Sequence, residues 1–145
     1  MRDHDRPLND RGHAAAPRMG RWLLSEGLHP DQVICSTANR AATTAAHVCA
    51  LFGDLTPDQH AELYLSTLDE MLGVLASATG ERVLLVAHNP GCELFVEHLT
   101  GAYVAMPTAA LAQLTFDVDD WTDVLAGRSG TFVRMQLPRH LPDAT

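Results

Sequence analysis

Cysteine is scarce in this chain and does not pair by spacing. Cys35, Cys49 and Cys92 are odd in number, and no two of them stand in a Cys-x-x-Cys pattern. This argues against a disulfide framework and against a zinc site, and it fits a reducing compartment. A cytoplasmic location is therefore expected. No apolar run approaches the ~20 residues of a membrane span. The first residues, Met1-Arg2-Asp3-His4-Asp5, are polar, so no signal peptide is expected. A basic balance is also lacking. The formal net charge is −8, which argues against general nucleic-acid binding but leaves a local basic pocket open. None of the eight histidines has ligand spacing to a second His or Cys, so no metal is expected. Internal repeats, low-complexity segments and linkers are absent. The 145 residues read as one domain, with 46% hydrophobic and 19% charged residues, large enough for a single core.

Apolar segments alternate in type along the chain. Residues 13–27 read as a helix with Ala15, Met19, Trp22 and Leu23 on one face, either kinked at Pro17 or restarted there. Residues 32–36 read as a short strand. Residues 40–52 form a helix ended by Gly53, and 54–66 a loop containing Leu63-Tyr64. A helix follows over 67–78, where Ser66 and Thr67 precede Asp69 and Glu70 at capping-box spacing. Then come a strand at 82–87, a helix at 92–99, a strand at 111–116, a short helix at 121–125 and a strand at 131–137. Strands alternating with helices imply a three-layer α/β/α fold with a mostly parallel sheet.

Two strand ends carry chemistry. The run Val83-Leu84-Leu85-Val86-Ala87 is apolar and ends abruptly in His88-Asn89-Pro90-Gly91. Asn89 suits a helix cap and Pro90 a first helical turn. His88 thus stands where a buried strand gives way to a helix N-terminus, which favours an anion. The earlier strand ends in Ser36-Thr37-Ala38-Asn39-Arg40, and arginine is the side chain best suited to a bidentate grip on phosphate. Taken singly, Arg40 reads as an exposed arginine beside a cap. Two strand ends that each deliver a phosphate-suited residue favour the functional reading. Cys92 reads as a small buried thiol, because its loop carries no Cys-x5-Arg pattern. His47, His60 and His98 read as surface residues, and Trp22 and Trp121 as packing residues.

Together these stretches resemble the histidine phosphatase superfamily, which includes the phosphoglycerate mutases. Ser36 to Ala45 is similar to its second arginine motif and Val86-Ala87-His88-Asn89-Pro90-Gly91 to its second histidine motif. Within it, the SixA-type phosphohistidine phosphatases are nearest in pattern. The stretches Asp3-His4-Asp5-Arg6-Pro7-Leu8, Met106-Pro107-Thr108-Ala109-Ala110 and Pro138-Arg139-His140-Leu141 resemble segments of that branch.

The resemblance implies a phosphoglycerate mutase-like fold and hydrolysis of a phosphoryl group, most plausibly from a protein histidine. It implies that Arg40 grips the phosphoryl oxygens and that His88 donates to one of them in the transition state. Arg6 is a third candidate for the rim, with a surface ion pair to Asp3 or Asp5 as its bland alternative. Glu62 is a candidate general acid. No cofactor is implied. The partner is a phosphorylated protein or a small phosphate; no nucleic-acid or membrane partner is expected, and the oligomeric state stays open.

One departure stands out. Family members open with a central strand ending in Arg-His, whose histidine accepts the phosphoryl group. Here no Arg-His pair precedes Arg6, and Arg139-His140 lies at the wrong end. His4 and His13 do not follow a buried strand. The expectation is a single domain over 1–145 that lacks its N-terminal central strand, with that strand's place between the strands at 32–36 and 82–87. Impaired catalysis follows, and a non-catalytic phosphate- or phosphoprotein-binding module is the alternative.

Overall fold

The computed structural model describes residues 1–127 and 129–141. After a 3-10 turn at Asp3–Asp5, the order is α1 (Asp10–Ser25), β1 (Gln32–Ser36), α2 (Asn39–Cys49), β2 (Pro57–His60), α3 (Leu68–Ala76), β3 (Val83–Val86), α4 (Gly91–Thr100), β4 (Leu111–Phe116) and β5 (Gly130–Gln136). Further 3-10 turns lie at Ala61–Leu63, Trp121–Ala126 and Pro138–His140. The segment at 142–145, and Arg128, fall outside the described residues.

Most elements stand where the apolar pattern put them, and the departures have local causes. α1 begins earlier than the hydrophobic periodicity suggested, because Asn9 caps it: its side chain accepts from the Gly12 N–H at 2.9 Å. The helix runs through Pro17 without a break into two. β2 lies inside the expected loop. Its sequence, Pro-Asp-Gln-His, has no apolar alternation, and it is a strand only because β1 offers it an edge. At α3 the capping box is Thr67 with Glu70, both reciprocal bonds being present. Pro90 is the N-cap of α4 rather than its first residue, and Asn89 reaches past it to accept from the Glu93 N–H at 3.3 Å.

β2, β1 and β3 form a parallel sheet in that order. Side chains alternate across it as the pleat requires. Val33, Cys35, Leu84 and Val86 pack on one face with Ala45 and Cys49 of α2, while Ile34, Val83 and Leu85 face Met71, Leu75, Phe95 and Leu99 of α3 and α4. α1 lies on α2. At their crossing a Cβ on Gly20 would come within 2.7 Å of the end of the Leu51 side chain and 3.4 Å of the Val48 backbone, so a larger residue would displace Leu51. This is the α/β fold, three layers deep, with a mostly parallel sheet. β4 and β5 form a separate antiparallel pair.

The expected position of the absent central strand is corrected by this topology. β1 and β3 are direct partners, with Gln32 opposite Val83 and Cys35 opposite Val86. No slot lies between them. The discontinuity is one strand further on. Among the described residues β3 has a strand partner on one edge only, and β4 pairs with β5 alone. Both strands line one cleft of about 1450 Å³, walled by Met19 and Leu23 of α1 on one side and Met71 and Phe95 on the other. β1 is buried from Val33 to Ser36, whereas β3, packed on both faces, is only partly buried because its free edge lines the cleft.

Candidate functional site

All three parallel strands end at one edge of the sheet. Ser36 stands opposite His60 and Cys35 opposite Val86, so the segments that follow β1, β2 and β3 emerge side by side. In parallel sheets this carboxyl edge is where ligands bind. β1 delivers Thr37 and, from the first turn of α2, Arg40. β2 delivers Tyr64 through the turn at Ala61–Leu63. β3 delivers His88 ahead of α4.

Arg40 and His88 line the same cleft. Arg40 is three-quarters buried, its side chain 26% exposed. Its guanidinium donates to the Asp3 carbonyl at 3.0 Å and to the Asp3 carboxylate at 3.3 Å. His88 is held by its strand, and its Nε2 is buried without a hydrogen-bond partner. Such an atom in a polar site points to a group that the protein alone does not supply. Burial holds the His88 ring below its ordinary titration range, and the charge on Arg40 pushes the same way. At neutral pH His88 is therefore a neutral imidazole with one N–H to donate.

The N-terminal turn completes the site, and this is where sequence reasoning fell short. Asp3 is the hub. Its carboxylate accepts from Tyr64 Oη at 2.6 Å, from Arg40, and pairs with Arg6 at 3.1 Å. The Tyr64 hydrogen bond is the main cause that lowers the Asp3 titration range, with Arg40 and Arg6 adding to it, and the same bond raises that of Tyr64. His4 donates or accepts at Thr37 Oγ1 over 2.8 Å and sits 3.2 Å from the Asp5 carboxylate. The Tyr64 ring stands edge-on to both histidines, 4.9 Å from His4 and 5.6 Å from His88 between centroids. Tyr64 carried no signal beyond its place after Leu63 in a loop. Thr37 was part of the strand-end motif but had no assigned role.

The other candidates separate. Arg6 makes the exposed ion pair with Asp3 that is its surface alternative. Glu62 is exposed and lies 3.5 Å from the His60 ring. The residue from its segment that reaches His88 is Tyr64. Thr43 and Thr44 bond within their own helix, to the Asn39 side chain and the Arg40 carbonyl. Burial pushes the Cys92 thiol up to about 11, as suits a packing residue rather than a nucleophile. The Met106-Pro107 segment is tied to the start of α4, with Met106 accepting from Asn89 Nδ2 and donating to Glu93 at 2.7 Å. Among the described residues no group of three or more His, Cys, Asp or Glu could hold a metal, and no helix is long and apolar enough to cross a membrane.

The family model for branch 1 of the histidine phosphatase superfamily matches residues 1–64, which include Arg6, Arg40 and Tyr64. An uncharacterized protein of Mycobacterium tuberculosis is 30% identical over 94% of this chain and 92% of its own length. The chain belongs to the histidine phosphatase superfamily. Two solved structures carry the resemblance through the whole fold. A Nakamurella multipartita protein assigned as the phosphohistidine phosphatase SixA superposes with a TM-score of 0.83 at 27% identity, covering 95% of this chain and 88% of that one. An Agrobacterium tumefaciens protein with the same assignment gives 0.80 at 25% identity, covering 95% and 87%. Within this superfamily the present chain is of the SixA type, and its Arg40 and His88 stand at the strand ends where its sequence motifs put them.

Proposed function

We propose that this chain binds the phosphoryl group of a protein phosphohistidine and hydrolyses it slowly, with Arg40 and His88 as the phosphate-binding and charge-stabilising groups and Arg6 at the rim. The observation that carries this reading is the buried, partnerless Nε2 of His88 in the same cleft as the Arg40 guanidinium. A dianionic phosphoryl group would satisfy both: the bidentate fork of Arg40 takes two oxygens and a His88 N–H a third. Phosphoryl transfer asks for little beyond such positioning and positive charge. No residue here needs a metal for that role.

The openness of the site supports a protein substrate over a small sugar phosphate, since among the described residues no long insertion closes over the strand ends. A phosphohistidine leaving group also needs little acid help, because its P–N bond breaks readily once the imidazole is protonated. That fits an arrangement in which Glu62 stays outside.

A second reading has its own support. Arg40 already holds the Asp3 carboxylate, and among the described residues no strand-borne Arg-His pair stands beside it. A phosphoprotein-binding module without turnover would look the same. Two measurements on the purified chain separate the readings: tungstate binding by calorimetry, and phosphate release from a phosphohistidine peptide. Binding with release supports the hydrolase; binding without release supports the module. A chain that binds neither tungstate nor phosphate overturns both.

A further inference from the structure

Where α1 lies on α2, the crossing brings together two histidines that stand 34 residues apart in the chain. His13 comes from the first turn of α1 and His47 from the last turn of α2. Nδ1 of His13 lies 3.0 Å from Nε2 of His47. The ring planes meet at 88°, with centroids 5.3 Å apart. His13 is exposed, His47 is partly so, and neither lines the cleft that Arg40 and His88 share. A hydrogen bond between the rings uses one N–H and one lone pair. Water would serve either ring about as well, so that bond by itself contributes little. What the pair offers beyond it is two nitrogen donors at chelating distance. No ligand spacing in the sequence marks these residues, because the helix crossing creates the pair.

We propose that His13 Nδ1 and His47 Nε2 form a chelate for a divalent transition metal, copper(II) or nickel(II), that clips α1 to α2. The inference is independent of the phosphatase reading. Imidazole suits these ions and zinc alike, so geometry decides among them. With metal–nitrogen bonds of ~2.0–2.1 Å, nitrogens 3.0 Å apart subtend about 95° at the ion. That is close to the right angle between neighbouring ligands of a tetragonal or octahedral ion. It is well inside the tetrahedral angle that zinc prefers. Water fills the remaining positions, for which the exposed side of His13 leaves room. Binding needs both lone pairs. The ring that donates in the hydrogen bond therefore moves its proton to its far nitrogen, and no electron is transferred. The surroundings accept the charge. The C-terminal end of α2 at His47 favours a cation, and Asp10, one turn before His13, offsets the opposite end of α1. α1 walls the cleft with Met19 and Leu23, and α2 carries Arg40 in its first turn. The clip thus fastens one wall of the cleft to the helix that bears the phosphate grip.

The test is titration of the full chain at neutral pH with the chlorides of copper(II), nickel(II) and zinc(II). Calorimetry and thermal unfolding follow binding, and electron paramagnetic resonance reads the copper(II) complex. The expected result is a micromolar copper(II) site whose spectrum shows coupling to two imidazole nitrogens, with nickel(II) bound more tightly than zinc(II). Saturating nickel(II) should raise Tm by roughly 3 °C or more, because the ion binds only when the two helices are docked. His13→Ala and His47→Ala should each weaken copper(II) binding on the order of tenfold or more and remove the gain in Tm. Both variants should keep the wild-type circular dichroism, and His88→Gln should leave metal affinity unchanged. The nitrogen count is read on the wild-type chain and does not depend on any variant folding. Coupling to a single nitrogen, undiminished affinity in either alanine variant, or no binding tighter than about 1 mM overturns the proposal. Zinc(II) bound more tightly than nickel(II) overturns the geometry on which it stands. Tungstate affinity, measured alongside, reads the phosphate site separately, so failure of one leaves the other standing.

Discussion

The two sides of β3 are built differently. On the side of β1 and β2 the sheet is continuous, its residues interleave between α2 and the α3–α4 pair, and Val33, Ile34 and Cys35 are almost wholly buried. On the side of β4 the same strand presents an edge to a cleft of about 1450 Å³ and none of its residues is fully buried. Both phosphate-suited residues, Arg40 and His88, follow strands of the continuous sheet and line the cleft. The difference separates recognition from catalysis. A phosphate grip needs only strand ends held in register, which the β2-β1-β3 sheet supplies. A nucleophile held rigidly beside that grip would need a strand on the cleft side.

Filling the cleft should change rate and stability together. An added apolar strand ending in Arg-His, joined ahead of Met1, should pair with β3 and β4. It should raise phosphate release by on the order of 100-fold, about 2.7 kcal/mol in barrier. It should also turn a weakly cooperative urea transition into a sharp one. The unextended chain should release phosphate from a phosphohistidine peptide below roughly 1 per second. An ordinary enzymatic rate from that chain, or an extension that changes neither rate nor unfolding, would break the contrast between the two sides.

Core truncations should show the same asymmetry in stability. Ile34→Ala, on the continuous side, is expected to cost about 2–5 kcal/mol. Leu85→Ala, which faces the same helices but lines the cleft, should cost less than about 2 kcal/mol because it is only partly buried. Urea midpoints at constant slope measure both, and equal losses would mean that β3 is as well covered as β1.

The anion grip is carried by strands of the continuous sheet, although it opens into the cleft. Arg40→Ala should therefore weaken tungstate or phosphate binding by ~1.5–3 kcal/mol whether or not the cleft is filled. Calorimetry on the short and extended chains tests this independence.

The smallest effect concerns pH. His88 titrates below its ordinary 6.5 in the folded chain, chiefly through burial. Above pH 6.5 the ring is neutral folded and unfolded, and its contribution is fully present. Between 6.5 and the folded value the unfolded chain takes the proton first, so stability falls as pH falls. The slope from this one group stays below about 1.4 kcal/mol per pH unit. His88→Gln should flatten that part of the profile between pH 6.5 and 5, and an unchanged profile would show that the ring is solvated.

How far the sequence reached differs from element to element. β1 and β4 were legible to the residue, because an apolar run bounded by turn residues has few other solutions. Arg40 and His88 were legible because each lies next to such a run. Tyr64 and the Asp3–Asp5 turn were not. They reach the site through contacts 33 to 61 residues apart in the chain, such as His4 with Thr37 and Asp3 with Tyr64, and no periodicity encodes those.

Composition, apolar periodicity and the two strand-end motifs determined by themselves the layered α/β class and the pair of residues suited to phosphate. These are local properties, fixed by burial and by backbone preference over a few residues. Strand order was decided only in three dimensions. β1 took β3 as its neighbour, β2 became a strand by borrowing an edge, and the cleft opened between β3 and β4 rather than between β1 and β3. Pairing is a choice among edges whose hydrogen-bonding groups are chemically identical. What selects one edge over another is the packing of the helices above and below it, and that exists only once the chain has folded.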